Sequence, residues 1–208
     1  MKKILLELFE ECLRIPYRNA ENAASYAYYR KQDSQGTALY IFFEKSNGRD
    51  DWIHNLHFAA HPYNEMERPW KCHTGFLKVW KSVLPLLRPH ILDPSVTRAV
   101  ITGYSHGAAI AALCHEYVYY HRPDLRPTLL GVGFGCPRVF YGCPTSALSE
   151  RWEHFFVVRN GDDLVTHLPP RFSSFCHVGN LITLTPPSPL SPIDAHRPES
   201  YLESLGAL

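Results

Sequence analysis

The sequence predicts an α/β protein with a mainly parallel central sheet flanked by helices, folded as one domain over residues 1–208. Short apolar runs alternate with amphipathic or small-residue stretches, the pattern of strand–helix–strand units. The length of 208 residues supports one sizeable core and is too short for two ordinary enzyme domains. The one proline-dense stretch, Thr185 to Pro192, lies so near the end that it reads as a surface loop and not a linker.

The elements follow in order. Ile4, Leu5, Leu8, Phe9, Cys12 and Leu13 recur at helical spacing and predict a helix laid on a core. Lys2 and Lys3 before Ile4-Leu5-Leu6 start like a secretory signal, but Glu7, Glu10 and Glu11 interrupt the apolar run. The expected location is therefore cytoplasmic, with secretion left open, and no stretch approaches membrane-spanning length. Ala38 to Phe43 reads as a buried strand, and Gly75 to Leu87 as a helix stopped near Pro89. Val96 to Thr102 is a strand rich in β-branched residues. A small-residue helix follows from His106 to Tyr120, ended by His121-Arg122-Pro123. Thr128 to Phe134, His154 to Val158 and Val178 to Leu184 complete the strands.

Composition excludes several classes. A net charge of +1 with scattered basic residues gives no nucleic-acid surface. The six cysteines form no C-x-x-C pair, so they read as buried thiols and not as a zinc site. His54, His57 and His61 fall at helical intervals without an H-E-x-x-H pattern or a partner carboxylate, so no metal and no cofactor are expected. Tyr117, Tyr119 and Tyr120 read as core and rim aromatics, and Arg138 as a brace for a strand end.

The sharpest signal is Gly103-Tyr104-Ser105-His106-Gly107, placed where a strand gives way to a helix. A nucleophile elbow needs this context, because the serine must stand on a tight turn above the sheet while glycines let the backbones pass closely. Ala108, Ala109, Ala111 and Ala112 extend the close packing. The helix N-terminus presents its positive end to a developing oxyanion. A nucleophilic serine requires a base and an acid that orients it, in the chain order Ser, Asp or Glu, His. Asp162 and Asp163 follow the strand ending at Val158, and the histidine candidates are His177 and His196. Spacing alone does not choose between them. A histidine base predicts turnover that falls below roughly pH 6.

From about Ala38 onward the chain resembles the lipase class 3 family, the fungal-lipase-like esterases. The matching segments run in order: Phe43 to Ser46 with Asp51-Trp52-Ile53-His54-Asn55-Leu56, His73-Thr74-Gly75-Phe76, the elbow, Gly135-Cys136-Pro137-Arg138-Val139, Asp163-Leu164-Val165-Thr166-His167-Leu168-Pro169-Pro170, His177-Val178-Gly179, and Asp194-Ala195-His196 with Tyr201. The resemblance implies the α/β-hydrolase fold and carboxylic ester hydrolysis through an acyl-enzyme. It places the acid at Asp163 and the base at His196. It gives the oxyanion hole to the His106 N–H and to Ser46, although Glu44 and Lys45 depart from the family's usual arginine and glycine just before that position.

Trp52, Ile53 and Leu56 share one helical face. The resemblance makes residues 47–60 a lid over a substrate pocket, with transient contact to a lipid interface, whereas the residues alone read equally as a surface helix. The expected partner is a small-molecule or lipid ester. A phospholipase, a thioesterase or a catalytically silent binding module of the same fold would share much of this pattern.

Overall fold

The computed structural model describes residues 2–20, 25–44, 59–64, 70–142 and 149–207. In chain order its main elements are α1 (Lys2–Arg14), β1 (Arg18–Asn19), β2 (Ser25–Asp33), β3 (Gly36–Phe43), β4 (Ala60–Tyr63), β5 (Trp70–His73), α2 (Thr74–Ile91), β6 (Val96–Tyr104), α3 (His106–His121), β7 (Leu129–Phe134), β8 (Phe140–Tyr141), β9 (Phe155–Asn160), β10 (Phe175–Cys176), β11 (Asn180–Leu184) and α4 (Pro198–Gly206). Among the described residues, seven strands form a sheet in the order β1-β2-β3-β6-β7-β9-β11. The pairs from β3 to β11 are parallel, and β1 and β2 add an antiparallel edge. A smaller antiparallel sheet has the order β10-β8-β5-β4.

Strand alternation sends side chains to two helical layers. On β3, Leu39, Ile41 and Phe43 face the core that holds Trp80 and Leu87 of α2 and the alanines of α3. Phe42 faces the opposite core, with Leu5, Leu8 and Phe9 of α1 and Tyr201 and Leu205 of α4. Helix α3 is buried around most of its circumference, which explains its run of small residues. Phe9 is fully buried, its ring 4.7 Å from Phe134 and 5.4 Å from both Tyr104 and Tyr201. The segment that starts like a secretory signal is thus an integral helix of the core.

Two expectations change. Helix α2 does not stop near Pro89 but runs through Pro85 and Pro89 to Ile91. Both prolines are exposed, so a carbonyl left without its helical donor can turn to water, while Leu87 and Ile91 gain burial. Arg138, itself buried, holds a loop and not a strand end: its guanidinium donates to the carbonyls of His167 and, at 2.6 Å, Pro169. Tyr117 is buried in the core, and Tyr119 and Tyr120 are partly buried at its rim.

Below the sheet's carboxyl ends, Glu116 of α3 is buried against the Arg151 guanidinium. Beside them His115 is buried, stacked on Trp152 at 5.4 Å, with a ring nitrogen 2.9 Å from the Arg151 carbonyl. Burial pushes the His115 pKa down to about 4. The folded value lies below the ordinary one of 6.5, so the unfolded chain takes up this proton first as the pH falls. The stability is therefore complete above about pH 6.5 and is lost as pH falls toward about 4, by roughly 3 kcal/mol from this one group. Urea midpoints measured between pH 7 and pH 4 should drop in the native chain and drop less in His115→Gln. Equal slopes would reject the assignment.

Candidate active site

The elbow is built by close backbone contact. Strand β6 ends at Tyr104, α3 begins at His106, and Ser105 between them holds φ 58° and ψ −123°. A positive φ at a non-glycine residue is strained and persists only where neighbours hold it. The Ser105 N–H donates to Phe134 O at 2.8 Å, and the Ser105 carbonyl accepts the Ala108 N–H at 3.0 Å. A Cβ on Gly103 would lie 2.3 Å from Gly107 O, and one on Gly107 would lie 2.2 Å from Phe43 O and 2.6 Å from Glu44 O. The start of α3 is therefore pressed against the ends of both β6 and β3. Its first N–H groups and positive dipole end stand next to the Ser105 hydroxyl.

Three side chains from separate loops meet there. His196 Nε2 lies 2.8 Å from Ser105 Oγ, and His196 Nδ1 lies 2.8 Å from Asp163 Oδ2. A carboxylate only accepts, so Nδ1 carries the proton and Nε2 presents its lone pair to the serine hydroxyl. Asp163 follows β9 and is fully buried. Its Oδ1 accepts the Val165 N–H at 2.9 Å, and its Oδ2 also accepts the Tyr201 hydroxyl at 2.6 Å. Burial and the neighbouring Asp163 charge push the Tyr201 phenol well above its ordinary pKa, so it stays a donor. Asn160 ties the arrangement together, its N–H donating to the Tyr201 oxygen at 3.1 Å and its side chain to Ala195 O at 3.0 Å. Such a set can pass the serine proton to a neutral imidazole and stabilise the imidazolium that results.

The competing residues are engaged elsewhere. Asp162 is 75 % exposed in its side chain and pairs with His167 at 2.9 Å. His177 Nε2 lies 2.7 Å from Thr166 O, and burial holds its pKa down at about 4, so it is a neutral donor to that carbonyl. His106 contributes its backbone at the helix start, while its ring is held neutral by burial, with a pKa of about 4. Ser46, Trp52, Ile53 and Leu56 lie outside the described residues, as do His54 and His57. Among the described residues there is no group of three or more His, Cys, Asp or Glu side chains that could hold a metal ion. Nor is any described helix long and apolar enough to cross a membrane. A cavity of about 770 Å³ between α1 and β2, lined by Glu7, Glu11, Tyr17 and Tyr29 among others, includes none of the three clustered side chains. Sequence reading gave no role to Tyr201 or Asn160; the one signal was that Tyr201 belongs to the same C-terminal motif as His196.

The family model for Lipase (class 3) matches residues 40–173, more than half of the chain. The chain belongs to the class 3 lipase family. The lipase of Rhizomucor miehei is 31% identical over 163 residues, covering 76% of this chain and 44% of that protein. The solved structure of Rhizomucor miehei triacylglyceride lipase superposes with a TM-score of 0.68 at 27% identity, covering 82% of this chain and 65% of that one. A triacylglycerol lipase whose catalytic centre is formed by a serine-protease triad gives a TM-score of 0.69 at 26% identity, with the same coverage. These class 3 and fungal lipase neighbours carry the α/β-hydrolase fold, the mainly parallel sheet flanked by helices seen here. The chain spans about two fifths of the length of the curated relatives it matches.

Proposed function

We propose that this chain hydrolyses carboxylic esters of small molecules or lipids, with Ser105 as nucleophile, His196 as general base and acid, and Asp163 as the carboxylate that orients it. The observation that carries the reading is the unbroken hydrogen-bond chain from Ser105 Oγ through the imidazole to a buried carboxylate. Ser105 attacks the ester carbonyl while its proton passes to Nε2; the imidazolium then protonates the departing alcohol. Water, giving its proton to the same nitrogen, hydrolyses the acyl-enzyme. The His106 N–H supplies one oxyanion donor. Ser46 supplies the second, a role supported by the close contact between Gly107 and the end of β3, three residues before it. Trp52, Ile53 and Leu56 belong to the same reading as the apolar face of a lid.

The test is an acyl-ester panel of graded chain length, with and without detergent micelles, beside labelling by a fluorophosphonate probe. Turnover together with a label on Ser105 is the expected result. An unlabelled chain with no turnover would leave a silent binding module of this fold. A marked preference for phospholipid or thioester in the same panel would move the bond specificity and keep the chemistry. A cytoplasmic location is part of the proposal. Recovery of the activity from the medium, and not from the cell lysate, would reject it.

A further inference from the structure

The His196 imidazole is enclosed by more than its two hydrogen bonds. The ring of Tyr104, the residue before the nucleophile, stacks on it with centroids 5.2 Å apart and planes inclined by 24°. The Tyr104 hydroxyl donates to the His196 backbone carbonyl. Tyr104 is 2% exposed and is backed by Phe9 and Tyr201, so its ring has little room to move. Gly135, just past β7, crowds the same imidazole at an edge. It holds φ +58°, its N–H donates to Val158 O at 2.9 Å, and a Cβ there would lie 2.8 Å from His196 Cε1 and 3.0 Å from both His196 Nδ1 and Asp163 Oδ2.

We propose that Tyr104 and Gly135 form a slot for the His196 imidazole, in which Tyr104 positions the ring and stabilises its charged form, and Gly135 leaves the space the His196–Asp163 bond needs. The inference rests on the hydrolase reading above. Asp163 neutralises the imidazolium within its plane, whereas an aromatic face stacked on it acts from above, as a cation–π contact. The hydroxyl contributes differently, by tying the loop that carries His196 to the end of β6. The titratable and charged groups around the imidazole are Asp163, the Tyr104 and Tyr201 phenols, and on its own segment the mutually paired Asp194 and Arg197. Tyr104 is a positioning residue, since it acts through His196.

The test is the pH profile of kcat/KM for Tyr104→Leu, Tyr104→Phe and Gly135→Ala, with circular dichroism to verify folding and Ser105→Ala alongside. Removing the aromatic face disfavours the imidazolium both in the resting enzyme and in the transition state. Tyr104→Leu should therefore lower the plateau by about 2- to 30-fold and move the acid limb to lower pH by about half a unit or more. A merely structural role would lower the plateau and leave the limb where it is. Tyr104→Phe keeps the face, so the limb should stay and the plateau fall by no more than about tenfold. Gly135→Ala should reduce kcat by about a hundredfold with much less change in KM. If Tyr104→Leu does not fold, the unbranched Tyr104→Met replaces it. An unmoved acid limb in the folded ring-less variant, or a Gly135→Ala kcat within twofold of the parent, overturns the slot. If Ser105→Ala keeps its turnover, the hydrolase reading fails instead, whatever position 104 does.

Discussion

Replacing Ser105 with alanine should lower ester turnover by about a millionfold in kcat, the magnitude found when a serine hydrolase loses its nucleophile. In the proposed route the Oγ makes the covalent bond to the acyl group, and neither adjacent residue, Tyr104 or His106, can take its place at the elbow. His106, the next residue, carries a half-buried ring held neutral, and Tyr104 is turned toward His196. Residual catalysis over water would come from the N–H groups at the start of α3 and from substrate binding. Ser105→Ala removes one oxygen from a residue that is 5% exposed and leaves the Phe134 and Ala108 backbone bonds in place, so the fold should be unchanged. Single-turnover kinetics with a chromogenic ester measures the effect. A loss below about tenfold would mean that the hydroxyl is not the nucleophile.

Asp163→Asn carries the second largest effect, a fall in kcat of about ten-thousandfold. The loss comes from the wrong imidazole tautomer. Asp163 Oδ2 accepts from both His196 Nδ1 and the Tyr201 hydroxyl, and Oδ1 accepts from Val165 N–H. An asparagine amide must present an NH₂ to one of these donors. If it faces His196, the imidazole flips to the tautomer that carries hydrogen on Nε2 and no longer accepts the serine proton. If it faces Val165, two N–H donors collide. Asp162→Asn, one residue earlier, alters an exposed pair with His167 and should leave kcat within about threefold. The two variants, assayed side by side on the same ester, decide which carboxylate orients the base. A larger effect at position 162 would transfer the role.

The central sheet was legible because its inner strands are buried on both faces. Ala38 to Phe43 is a near-continuous apolar run, Val96 to Thr102 is rich in β-branched residues around Ala99-Val100-Ile101, and the small-residue stretch after Ser105 could only be a helix pressed against them. Edges and short elements were not legible. Strand β2 leaves its last four residues exposed, so it has no clear alternation to read. The smaller sheet is made of strands two to four residues long that join distant segments, such as Cys72 and Cys176 to Phe140. Helix α4 opens on a proline and has only nine residues, too few for its period to stand out. At the site, the elbow announced itself by local pattern, but the choices between Asp162 and Asp163 and between His177 and His196 depend on which side chain is buried and aimed inward. One-dimensional spacing holds no such information. Only the order of family motifs pointed to Asp163 and His196, which the fold joins by a hydrogen bond, with His196 in turn within hydrogen-bond distance of Ser105.

The packing of Phe9 has a consequence for how the two ends of the polypeptide cooperate. The first helix presses this ring against Tyr104, Phe134 and Tyr201, and two of those three touch His196 or Asp163 directly. The amino-terminal segment is in this way a buttress behind the reacting corner, remote from it in sequence and one ring away in space. A chain that lacked this segment could assemble its sheet and still hold its imidazole loosely, with the damage felt in rate before it is felt in architecture.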